Sequence, residues 1–177
     1  MWSIEHSSVV PDLLTWGKGM GGDMPSAGLT LRADLAAKIE DHSQPNTWAG
    51  NAVTAVVTME NIAILTENDR ELIRRAAEVG EEVKGWLRVG AQQTRFIGEV
   101  RGRGLMIGIE LVADKETREP LDRDTVGAVI MGLLKGGVIM VPCGRFGNVF
   151  RFMPPLTITR EHCRAATNVL LDVLKQI

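Results

Sequence analysis

A chain of 177 residues, 45% hydrophobic and 24% charged, has the make-up of a folded globular domain rather than a fibre or a disordered segment. Its 20 basic and 22 acidic residues leave a formal charge of -2, without the basic excess that a nucleic-acid partner requires. No apolar run approaches the roughly 18 residues of a membrane span and the N-terminus lacks a basic-then-apolar signal pattern, so a cytoplasmic protein that binds neither nucleic acid nor membrane is expected.

Residues 1–31 hold short apolar stretches (Val9-Val10, Leu13-Leu14, Ala27 to Leu31) parted by glycine and proline, which favours strands and turns over helix. Residues 52–67, AVTAVVTMENIAILTE, are apolar at helical spacing on more than one side, so a helix buried on several faces is expected there. Asp69 opens a second helical stretch in which Leu72, Ile73, Ala76, Val79, Val83, Trp86 and Leu87 form one apolar stripe.

The period changes at Phe96 to Val112, where two β-prone runs flank Arg101-Gly102-Arg103-Gly104 and predict a tight pair of strands. A helix is expected over Asp122 to Lys135, ended by Gly136-Gly137, then strands at Val138 to Val141 and Val149 to Phe152. Thr159 and Glu161 after Pro154-Pro155 mark the start of a last amphipathic helix. The order of elements fits a mixed α/β or α+β unit, and the absence of an opening helix or strand suggests the C-terminal portion of a longer protein.

Cys143 and Cys163 are too few for a disulfide framework and stand at no metal-like spacing from His6, His42 or His162, so free thiols and no metal are expected. Met20, Met24, Met106, Met131, Met140 and Met153 read as core filling. The chain has no tyrosine.

The strongest chemical feature is Lys18 in Gly17-Lys18-Gly19-Met20-Gly21-Gly22. A phosphate-binding P-loop fails, since Asp12 stands where its first glycine belongs and Gly19 where its Ser or Thr belongs. Gly17, Gly19 and Gly22 satisfy a dinucleotide fingerprint as text, but that motif must open a helix, and Pro25 and Gly28 disfavour one. A nucleotide-binding module stays open as an alternative, beside a surface lysine in a glycine turn and a lysine that condenses with a carbonyl cofactor.

The segment from Pro11 through Gly22 with Pro25 resembles the cofactor-lysine segment of class III aminotransferases, the ω-amino-acid branch of the fold type I enzymes. Gln44 to Asn51 (QPNTWAGN) resembles the family's Ser-Thr-Phe-Gly-Gly-Asn segment, Gly98 to Leu111 its C-terminal hairpin, and Arg151 to Thr159 (RFMPPLTIT) its last strand. These segments follow the family's order through nearly the whole chain.

The resemblance implies a fold type I transferase that uses pyridoxal 5'-phosphate to move an amino group from an amino donor to an oxo acid. Residues 1–69 would be the end of the cofactor-binding large domain and 70–177 the small α+β C-terminal domain. Lys18 would hold the cofactor as a Schiff base and shuttle a proton, Thr47 would hydrogen-bond its phosphate from the neighbouring subunit of a homodimer, and Arg151 would meet a substrate carboxylate. Residues alone offer other roles: Thr47 as a cap for the helix at Ala52, Arg151 as a cross-strand partner of Glu99 or Glu110, and Arg101 with Arg103 as an anion site or solvated surface.

The chain departs from the family pattern at Asp23, at Ser26-Ala27-Gly28, at Trp48 and at Ala49, positions that bear on substrate preference. The family's phosphate loop, ring-stacking aromatic and ring-nitrogen aspartate have no match here. A noncatalytic fragment or assembly piece is therefore the competing expectation.

Overall fold

The computed structural model describes residues 1–40 and 46–177, and it divides into two compact units, Met1–Glu71 and Leu72–Ile177. In the first, β1 (Leu13–Gly17) and β2 (Ala27–Leu31) form an antiparallel hairpin in which Leu13 faces Leu31 and Gly17 faces Ala27. A 3-10 turn, Lys18–Gly21, leaves the end of β1, and the short helix α1 (Ala33–Ala36) follows β2. Arg32 ties the hairpin's open end, its backbone N–H donating to the Asp12 carbonyl at 3.0 Å and its guanidinium pairing with Asp12 and Asp34.

The helical run α2 (Ala52–Ala91) breaks near its middle, where Glu67 is extended and Asn68, Asp69 and Arg70 are left-handed with φ of 45°, 54° and 61°. Regular helix thus resumes two residues beyond Asp69, the residue expected to open it. Asn and Asp tolerate left-handed backbone because their short polar side chains bond locally, so Asn68 and Asp69 suit the break.

Before the break, α2 is less buried than its periodicity suggests. Val53, Val56 and Met59 are 61%, 65% and 69% exposed, and only Thr58 is buried. Apolar spacing shows that several sides can be covered, whereas the hairpin and its turn occupy one side alone.

The second unit has a four-stranded antiparallel sheet in the order β3-β4-β6-β5, with β3 Ile97–Arg103, β4 Met106–Leu111, β5 Val141–Cys143 and β6 Val149–Phe152. Alternate residues Ile107, Ile109, Leu111, Phe150 and Phe152 point into one core with Ala76, Val79, Val83 and Leu87 of α2. The helices α3 (Arg123–Lys135) and α4 (Arg160–Gln176) close it through Val129, Leu133, Cys163 and Leu170. Twelve or so such side chains, each worth about 2 kcal/mol on burial, make this unit the stability centre of the chain.

Both helices begin at side-chain caps. Asp122 accepts from the backbone N–H of Asp124 and Thr125, and Thr159 accepts from His162 N–H at 3.2 Å. The strand expected at Val138 to Val141 lies further on: Val138 N–H returns to the Leu133 carbonyl as part of the helix exit, and only residues 141–143 pair with β6. The methionines also differ from expectation, with Met140 buried but Met106, Met131 and Met153 exposed. Both cysteines are free thiols.

Candidate functional site

Gly17 ends β1, and Lys18 then adopts a left-handed backbone with φ 55° before the 3-10 turn closes through Gly22 N–H to the Gly19 carbonyl. Such a conformation costs a non-glycine residue about 1 kcal/mol, so the surrounding contacts must impose it. The turn leads into β2 and not into a helix, which removes the context that the dinucleotide fingerprint of Gly17, Gly19 and Gly22 needs.

Lys18 is exposed and lines a cavity of about 990 Å³ whose walls include Trp16, Ser26, Trp48, Thr54 and Thr58. Asp23 is the only carboxylate among the described lining residues. The helix start at this wall is capped by Asn51, whose side chain accepts from Thr54 N–H at 3.0 Å. Asn51 therefore takes the cap considered for Thr47.

Thr47 is exposed in the turn before the helix and lies next to the cavity, flanked by the lining residues Asn46 and Trp48. Gln44 and Pro45 of the same motif, and His42, lie outside the described residues. Two polar residues of the helix were not singled out by the sequence: Thr58, in the cavity wall with its Oγ1 2.9 Å from Ser26 Oγ, and Asn61, behind that wall, whose Nδ2 donates to the Met20 carbonyl at 3.1 Å. A polar residue in each turn of an otherwise apolar helix was the signal that could have found Thr58 and Asn61.

Arg151 stands on β6 in the second unit, exposed, opposite Gly108 on β4 and Val141 on β5. It also borders a second cavity of about 450 Å³ lined by Val138, Phe152, Pro154 and His162. Glu99 and Glu110 do not pair with it. They bind Arg101, at 2.8 Å in the case of Glu99, and Arg118. The hydrogen bond that Arg101 donates to Glu110 raises its guanidinium above the ordinary value, while Arg151 has no carboxylate partner among the described residues. Nor do any three His, Cys, Asp or Glu gather there as a metal would need, and no helix among those residues is long and apolar enough to cross a membrane.

The first unit thus presents an exposed lysine, on a left-handed glycine turn, at the wall of a cavity large enough for a small molecule. The aminotransferase class-III family model matches residues 1–174, and the chain belongs to that family. It is 37% identical over 90% of its length to alanine–glyoxylate aminotransferase 2 homolog 2 of Arabidopsis thaliana, and 31% identical over 96% to the 4-aminobutyrate aminotransferase of Escherichia coli. Among solved structures, an Arthrobacter phospholyase in complex with phosphoethanolamine superposes on the whole chain with a TM-score of 0.89 at 29% identity. The chain spans 33%, 39% and 42% of the lengths of these three proteins.

Proposed function

We propose that this chain supplies the lysine side of a pyridoxal-phosphate-dependent aminotransferase site, with Lys18 as the residue that holds the cofactor. The observation that carries the reading is the left-handed turn that presents an exposed Lys18 to a cavity of about 990 Å³. That volume is in the range of small-molecule sites, and Trp16 and Trp48 offer flat apolar surface to a planar ring. The residues present therefore fit the group at its carbonyl end. When bound, the cofactor draws electrons from the substrate carbon that carries the amine.

The chain's own residues do the rest. The Lys18 amine, freed when substrate arrives, takes a proton from that carbon and returns it on the far side of the exchange, so that an amino donor loses its nitrogen and an oxo acid gains it. Arg151, with no carboxylate of its own, holds a substrate carboxylate through its planar guanidinium. Thr47, exposed beside two lining residues of the cavity, hydrogen-bonds the cofactor phosphate of the other subunit of a homodimer in this reading. In this reading residues 1–69 end the cofactor-binding domain and 70–177 form the small domain.

The test is covalent capture. The protein is incubated with pyridoxal phosphate, reduced with borohydride and digested, and the pyridoxyl mass is expected on the peptide that contains Lys18 and absent in Lys18→Ala. Equal labelling of other lysines in both proteins would remove Lys18 from the assignment.

A further inference from the structure

We propose that Asn61 is a positioning residue for Lys18, a role that rests on the reading of Lys18 as the cofactor lysine. Thr54, Thr58 and Asn61 succeed one another at spacings of four and three, so they share one face of α2. That face grips the lysine loop at two points. Asn61 Nδ2 donates to the Met20 carbonyl at 3.1 Å, and Ser26 Oγ meets Thr58 Oγ1 at 2.9 Å.

The second grip has a fixed direction. Thr58 Oγ1 donates to the Thr54 carbonyl at 2.8 Å, so its single proton is committed and Ser26 must be the donor to it. The loop is thus held beyond the turn at Ser26, and within it at Met20, two residues past the lysine.

Gly22 shows that the Asn61 contact is built into the turn. With φ 60° it takes a conformation natural to glycine, and a Cβ placed there would stand 3.1 Å from Asn61 Nδ2. The carboxamide occupies the room that a side chain at 22 would fill. Since the turn imposes a left-handed backbone on Lys18, whatever fixes Met20 also fixes the direction in which the lysine leaves the chain. Loss of the amide donor lets the turn relax and scatters the amine over positions from which the carbonyl is out of line.

Asn61→Asp keeps the shape but replaces the donor with an acceptor facing a carbonyl, and Asn61→Leu removes both. The readout is the rate of borohydride-trapped pyridoxal phosphate labelling at Lys18 divided by that at the exposed Lys38, with the melting temperature followed in parallel. The ratio is expected to fall about tenfold in both variants with little change in melting. An unchanged ratio in both variants overturns the proposal while leaving Lys18 as the cofactor lysine. An equal slowing at both lysines also overturns it, because that marks general loss of fold. If the parent protein labels Lys18 no faster than Lys38, the functional reading fails and this role falls with it.

Discussion

Gly80 of α2 and Gly104 at the tip of the β3–β4 hairpin meet backbone to backbone: a Cβ built on Gly80 would stand 2.1 Å from the Gly104 carbonyl oxygen. The obstacle is main chain on both sides, so no side-chain rotation can relieve it. Gly80→Ala is expected to push hairpin and helix apart and destabilise the second unit by about 2 kcal/mol, despite alanine's better helix propensity. Gly85, one turn on, has open space around its Cα. Gly85→Ala is expected to stabilise by about 0.7 kcal/mol, so chemical denaturation of the two variants should show opposite signs.

Lys84 reinforces the same junction. It is 6% exposed, and its amine donates to the Gly102 carbonyl at 3.0 Å and to Glu81 at 2.6 Å. Lys84→Met keeps the packed stem and removes the donor, at an expected cost of about 1 kcal/mol. Lys84→Ala is expected to cost more, since it also vacates the stem. Urea unfolding of the pair separates the two contributions.

Acid should loosen the second unit through its helix cap. The Asp122 carboxyl lies below its usual range, chiefly because it accepts from the backbone N–H of Thr125 and from the Thr125 hydroxyl, with Asp124 N–H adding to the effect. A folded-state pKa below the unfolded one means stability that is present at neutral pH and lost as pH falls through the folded value. Melting temperature is therefore expected to decline below about pH 4, and Asp122→Asn, which still caps but does not titrate, should show a shallower decline.

The two thiols should differ in reactivity. Cys163 is fully buried among core side chains, and that burial raises its thiol above the ordinary range, whereas Cys143 is half-buried at the end of β5. Alkylation of the native protein followed by mass spectrometry is expected to modify Cys143 first. Cys163 should react only on unfolding, when its thiolate becomes accessible. Equal native rates would contradict the packing described.

Most elements were legible because their signals are local. The stripe from Ala76 to Leu87, the Arg101–Gly104 hairpin, the helix ending at Lys135 and the helix start at Thr159 each depend on neighbours within a few residues, and the structure has them in place. Where pairing or covering decides, local signals failed: β5 begins at Val141 because β6 is its partner there, and the apolar sides of α2 near Val56 are exposed because periodicity does not say what lies opposite. At the site, Lys18 stood out by its glycines, but Asn61 lies 41 residues from Met20, a separation that no motif spans.

Trp16 and Trp48, named above as cavity walls, give the molecule an optical property of its own. With no tyrosine among its 177 residues, near-ultraviolet emission comes from its four indoles, Trp2 included, and two of them line the same cavity as Lys18. Trp86 lies in the other unit with the Arg164 guanidinium 4.6 Å from its ring. A chromophore settling beside Lys18 would draw excitation from the first pair, while unfolding of the second unit would strip Trp86 of its cation. With Trp2 replaced by phenylalanine, fluorescence can thus follow occupancy and integrity without any attached dye.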